Sequence, residues 1–168
     1  MRMIFFPKIV AITNEKIIAR AARKVIKPNR LANNNFLSSL DISKGEFNHI
    51  LDLAENFKNK DLNIELKNKV LGLIFDKPST RTRVSFQVAM SRLGGTTIDL
   101  NPTTSQIGRG EPIKDTARVL SRYCDVIAIR TFNHSDLEEY AKWSTKPVIN
   151  ALTDSEHPCQ ALADFLTI

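Results

Sequence analysis

The chain has 168 residues, enough for one full domain with a sizeable core and too few for two ordinary ones. Its 42% apolar and 25% charged residues are those of a soluble globular protein, and no run of about 18 apolar residues exists, which excludes a transmembrane helix and any membrane partner that needs one. The net charge of +6 suggests nucleic acid until it is mapped: residues 1–30 hold eight basic residues and one acid, Glu15, whereas the other 138 hold 16 basic and 17 acidic residues, so the body lacks the basic face that DNA or RNA requires.

The basic arm, residues 1–34, reads as a disordered or removable extension. Arg-rich, acid-poor N-termini are similar to organelle transit peptides, which would place the protein in an organelle matrix; otherwise the expected location is the cytoplasm. A secretory signal does not fit, because Pro7 interrupts the apolar patch Met3 to Phe6 and no small-residue cleavage site follows. Cys124 and Cys159 form no CxxC pair, which fits a reducing compartment and neither a disulfide framework nor a zinc site.

Ordered structure is expected from Asn35 and Phe36. Ser43 with Glu46 reads as a capping box, and Phe47, Ile50, Leu51, Ala54 and Phe57 then form one helical face. That helix fades at Lys58 to Asp61. Val70 to Phe75 is a short apolar run, expected to be a strand buried on both faces. A helix follows from about Thr80 to Leu93, ended by Gly94-Gly95, where a left-handed residue is needed. Thr96 to Leu100 reads as a second strand and Asn101 to Gly110 as a polar loop. Next come a helix from Pro112 to about Tyr123, a strand from Asp125 to Arg130, and a helix capped by Ser135 or Asp136 that runs to Trp143. Pro147 to Asn150 is the fourth strand, Ala151 to His157 a loop, and Pro158 opens a helix that is still apolar at Ile168.

Strand and helix alternate with connections long enough to cross over. The fold class is therefore α/β, a four-stranded parallel sheet with helices on both faces. Ligands of such sheets bind beyond the carboxyl ends of the strands. The turn at 76–83, Arg130 and the loop before Pro158 all fall there.

The turn Asp76-Lys77-Pro78-Ser79-Thr80-Arg81-Thr82-Arg83 carries the first chemistry. A helix N-terminus presents unpaired N–H groups and a positive dipole end to an anion. Ser79, Thr80 and Thr82 add hydroxyl donors, and Arg81 adds a fork that matches phosphate oxygens. Two arginines in a first turn oppose the dipole, a cost that a bound anion would remove. The bland alternative is an ordinary Ser or Thr cap with solvated arginines. His157, at a loop-to-helix junction, can donate a hydrogen bond to a carbonyl oxygen, and Gln160 can accept one from an amide N–H; a His that merely caps a buried junction is the alternative. Arg130 ends an apolar strand and needs a partner, either an acid such as Asp125 or Asp154 or an anionic ligand.

The run Ser79 to Arg83 after an apolar strand, the strand ending in Arg130-Thr131, and His157 to Asp164 together resemble the aspartate/ornithine carbamoyltransferases. Gln106 to Arg122 and Val148 to Asp154 look like the ornithine branch specifically. The aspartate branch typically has a Lys in the loop after the second strand, where this chain reads Gln106-Ile107-Gly108-Arg109-Gly110. The resemblance covers about Asn35 to Ile168, with several motifs in order and at the right spacing; residues 1–34 match nothing in the family.

The resemblance implies a site. Ser79, Thr80, Arg81 and Thr82 would bind the phosphate of carbamoyl phosphate, with Thr82 also near its carbonyl oxygen. Arg130 and His157 would hold that oxygen, with Arg81, Arg130 and His157 as the catalytic set. Gln160, in the stretch that includes Pro158 and Cys159, would hold the carbamoyl NH2. Gln106 would reach the neighbouring site of a homotrimer, and Leu152 would offer its backbone to the amino group of L-ornithine. The implied reaction makes L-citrulline and phosphate and needs no side-chain nucleophile, cofactor or metal. The domain expected over 35–168 is the carbamoyl-phosphate half. The family's ornithine-gripping motifs are missing, so the ornithine-binding domain is expected to be absent. The chain as given is then an incomplete enzyme, or a non-catalytic carbamoyl-phosphate-binding module.

Overall fold

The computed structural model describes residues 35–59 and 65–168. The expected extension over 1–34, together with Lys60 and Asp61 of the polar stretch, lies outside the described residues.

Five α-helices and four strands alternate in chain order: α1 (Lys44–Lys58), β1 (Val70–Phe75), α2 (Arg81–Arg92), β2 (Thr96–Leu100), α3 (Ile113–Tyr123), β3 (Val126–Arg130), α4 (His134–Trp143), β4 (Val148–Leu152) and α5 (Pro158–Phe165). The strands form one sheet in the order β2-β1-β3-β4, and every pair is parallel. Phe36 adds a short parallel bridge outside β4, its N–H bonded to the Val148 carbonyl and its carbonyl to the Asn150 N–H, both at 2.8 Å.

Strand residues alternate between two cores, as a pleated strand requires. Leu71, Leu73, Phe75, Val126, Ala128 and Ile149 pack with α1, α2 and α5, whereas Ile74, Ile127, Ile129 and Val148 pack with α3 and α4. Helices thus cover both faces, as expected. β1 and β3 lie inside the sheet and are almost wholly buried, while β2, at the edge, is largely exposed.

Local signals explain most helix ends. The Ser43–Glu46 capping box is formed, with Ser43 N–H to Glu46 Oε2 at 2.7 Å and Glu46 N–H to Ser43 Oγ at 3.3 Å. Gly94 follows α2 at φ +77°, where an L side chain is strained. Gly94→Ala is expected to lower stability by about 1 kcal/mol, read from urea denaturation.

Several features differ from expectation, among them the last helix, which ends at Phe165 and does not run on to Ile168. α4 begins at His134 with Asn133 as N-cap, ahead of Ser135 and Asp136. Its first N–H, that of His134, is met at 3.0 Å by Asp154 Oδ1, a carboxylate from the far loop that local sequence cannot announce. β4 runs to Leu152, two residues past Asn150, because a bulge there pairs Arg130 with Leu152. The loop after β2 contains two 3₁₀ turns, Pro102–Thr104 and Ile107–Arg109.

Candidate functional site

The carboxyl ends of three strands are tied into one edge. Phe75 pairs with Arg130, and the Asp76 N–H donates to the Arg130 carbonyl at 2.8 Å. The Thr131 N–H donates to the Leu152 carbonyl at 3.1 Å, and the Asp154 N–H to the Phe132 carbonyl at 2.9 Å. The turn after β1, the end of β3 and the loop after β4 therefore converge, as expected for a parallel sheet.

On the β1 side, α2 starts without a cap. Thr80 occupies the N-cap position in helical backbone conformation, its side chain makes no cap bond, and the first turn holds no acid. The plain Ser/Thr cap is thus not what the structure contains. Arg81 is exposed and forms no ion pair among the described residues. Arg83 differs: it pairs with Asp99 on β2 and lies over the Phe75 ring, 4.8 Å from its centroid. One of the two first-turn arginines is thus compensated within the fold, which leaves Arg81 as the uncompensated cation at the dipole's positive end.

On the β3 side, Arg130 is partly buried and its Nε is buried without a hydrogen-bond partner. Neither acid considered from sequence takes it. Asp125 binds Lys69 Nζ at 2.8 Å and the Val70 N–H at 3.0 Å, and Asp154 caps α4. Burial also lowers the pKa of Arg130, because the charged form is denied water.

His157 precedes α5, whose first residue is Pro158. Burial, and after it the positive charge of Arg130, push its pKa from the ordinary 6.5 down to about 4, with Asp164 opposing. A neutral imidazole carries one N–H donor, the form needed to meet a carbonyl oxygen. Between pH 4 and 6.5 the unfolded chain binds a proton that the folded chain refuses, so folding weakens as pH falls through that window and is unaffected by His157 above it. In His157→Gln the fall in melting temperature from pH 6.5 to 4 should be shallower than in the parent; equal slopes would show that this group does not titrate so.

Gln160 is exposed and donates its Nε2 to Asp164 Oδ1 at 2.8 Å, which leaves Oε1 as the acceptor for an incoming N–H. Pro158 and Cys159 are buried. The Cys159 thiol donates to the Asn150 carbonyl at 3.4 Å, and burial pushes its pKa up to about 12, so any contact of this pair with a ligand falls to the backbone. Leu152 stands at the bulge with φ +153°. Gln106 is exposed in the loop beyond β2, at the N-terminus of the second 3₁₀ turn.

Two groups beside this edge were not singled out from sequence. Asp76 is half-buried with a buried, unpartnered Oδ1. Burial raises its pKa, the Thr131 hydroxyl acts against the rise, and Asp136 adds to it. Asn150 is fully buried within β4. The available signals were a carboxylate directly after a buried strand and an amide inside an apolar one.

Residues 34–168 match the sequence profile of the family described as "Aspartate/ornithine carbamoyltransferase, carbamoyl-P binding domain". The ornithine carbamoyltransferase of Prochlorococcus marinus subsp. pastoris is 88% identical over 144 residues, which are 86% of this chain and 47% of that enzyme. The crystal structure of ornithine carbamoyltransferase from Gloeobacter violaceus is 52% identical with a TM-score of 0.73, over 80% of this chain and 44% of that one. Aspartate transcarbamoylase from Trypanosoma cruzi is more distant in sequence at 33% identity, with a TM-score of 0.75 over 82% of this chain and 46% of that one. The chain spans about half the length of the curated relatives it matches. With the profile covering the whole described sheet and its site edge, the chain belongs to the aspartate/ornithine carbamoyltransferase family, matching its carbamoyl-phosphate-binding domain.

Proposed function

We propose that this chain supplies the carbamoyl-phosphate half of an ornithine carbamoyltransferase, which makes L-citrulline and phosphate from carbamoyl phosphate and L-ornithine. The observation that carries the reading is Arg130: its Nε is buried without a partner, beside a neutral His157, on the same sheet edge as the uncapped start of α2. A guanidinium in that state calls for an oxygen ligand. Ser79, Thr80, Arg81 and Thr82 with the α2 N-terminus take the phosphate. Arg130, His157 and Thr82 take the carbonyl oxygen, on which negative charge grows as the amine attacks, and so act as an oxyanion hole. The free Oε1 of Gln160 takes the carbamoyl NH2, and the departing phosphate stays with Arg81 and the helix terminus.

L-Ornithine meets the Leu152 backbone and is otherwise gripped by a domain beyond residues 35–168. Gln106 reaches the site of a neighbouring subunit in a homotrimer. The setting is arginine biosynthesis or the urea cycle, in the cytoplasm, and the described residues contain no helix long and apolar enough to cross a membrane. The ornithine branch is favoured over the aspartate branch by the Gln106 to Gly110 loop and by the higher identity to ornithine enzymes.

The 168-residue chain is expected to bind carbamoyl phosphate in isothermal titration yet form little or no citrulline with ornithine. Absence of binding would refute the site, and carbamoyl-aspartate formation would favour the aspartate branch. Citrulline formation at an ordinary enzymatic rate would refute the dependence on a further domain.

A further inference from the structure

Asn150 is the most deeply buried polar side chain among the described residues, 0% exposed within the apolar strand β4. An amide in that position costs free energy unless its donors and acceptor are met. They are met by main-chain groups from separate segments. Nδ2 donates to the Leu37 carbonyl at 2.8 Å and to the Glu156 carbonyl at 3.3 Å, and Oδ1 accepts from the Leu152 N–H at 2.9 Å. None of these bonds belongs to the β4 ladder, which pairs with β3 and the Phe36 bridge through the backbone.

Two of the bonds fall on the chain just before His157. Glu156 precedes it, and Leu152 opens the loop that carries both. Leu152 holds φ +153°, a conformation that a leucine keeps only where its surroundings over-determine it. Two bonds do so here: its N–H to Asn150 Oδ1, and its carbonyl from the Thr131 N–H at 3.1 Å. Thr131 directly follows Arg130. One side chain therefore ties into the loop bearing His157, where the Thr153 N–H also bonds the Glu156 carbonyl at 3.0 Å, and through Leu152 into the strand end bearing Arg130.

We infer that Asn150 is a positioning residue of the carbamoyl-phosphate site: without touching ligand, it sets His157 against Arg130 through the Leu152 turn and the Glu156 carbonyl. The inference rests on the carbamoyl-phosphate reading proposed above. It acts on the carbamoyl half of the site and leaves the phosphate turn of α2 alone.

Asn150→Asp keeps the shape and the acceptor toward Leu152, but turns an acceptor toward the Leu37 and Glu156 carbonyls. Titration of the full chain with inorganic phosphate should give an affinity within about twofold of the parent, since the α2 turn shares no partner with Asn150. Carbamoyl phosphate should bind about tenfold more weakly, the equivalent of one misplaced hydrogen bond. By NMR the His157 titration midpoint should rise from about 4 toward 6.5 as the ring leaves its buried place beside Arg130. A folded variant that keeps both the parental preference for carbamoyl phosphate over phosphate and the His157 midpoint overturns the inference. If the parent chain itself shows no such preference, the underlying reading fails first. Should Asn150→Asp not fold, Asn150→Ser removes the amide without placing a charge in the core and reads the same ratio. Loss of cooperative unfolding in both variants also overturns the inference, because Asn150 would then hold the domain together and not place His157.

Discussion

Arg130→Met is expected to weaken carbamoyl-phosphate binding about 100-fold, near 2.7 kcal/mol, while leaving the fold as stable as before or more so. The two effects have opposite signs for one physical reason. The Nε of Arg130 is buried without an acceptor, and burial works against its charge. An unmet buried donor of this kind costs roughly 1–3 kcal/mol, so a methionine that retains the aliphatic stem should recover about 1 kcal/mol of stability. The same donor aimed at the oxygen of a bound carbamoyl group is worth far more there, because a preformed donor needs no reorganisation when charge develops. Isothermal titration reads the first effect and urea denaturation the second. A stability loss above about 1 kcal/mol would mean that Arg130 is a structural cation satisfied by the fold, and the site as drawn would be wrong.

The second large effect is at the opposite end of the ligand. Arg81→Ala should cost about 100-fold in affinity for carbamoyl phosphate and for inorganic phosphate alike, since a forked, charge-assisted contact to phosphate oxygens is lost. Stability should hold or rise by a few tenths of a kcal/mol, because a cation is removed from the positive end of the α2 dipole. Arg83→Ala is the control two residues away. It breaks the pair with Asp99 and the contact with Phe75, so it should weaken the fold and leave phosphate affinity much closer to the parent. Retained phosphate affinity in Arg81→Ala would remove the α2 turn from the site. Both arginines stand in the first turn of α2, and they differ in the fold because Asp99 on the edge strand and the Phe75 ring take Arg83.

Much of the architecture was legible because it rests on local rules. The apolar run Val70 to Phe75, the capping box of Ser43 and Glu46, and Gly94 after α2 each act within a few residues, and each element stands where its own chemistry puts it. Alternation of strand and helix then left one handed solution, and the site edge followed from it. The candidate anion-binding turn was legible for the same reason, since hydroxyls and a cation at a helix start are a contiguous signal.

The order and type of the elements, and which motifs lie at strand carboxyl ends, follow from the linear pattern of residues. Which charges are spent within the fold depends instead on contacts between distant segments. Asp99 takes Arg83 and Lys69 takes Asp125, so among the described residues Arg81 and Arg130 are left without an ion-pair partner at this edge, while Lys77 lies over the Phe132 ring. Asp154 caps α4 from the loop after β4, and Asn150 ties that loop to the Leu37 carbonyl more than a hundred residues away. These partners are set by strand order and register, and a hydrogen bond between distant segments leaves no periodic trace in either of them. The pattern of residues therefore specifies the sheet and its motifs, while the burial and pairing that turn arginines and a histidine into a site exist only once the sheet has closed.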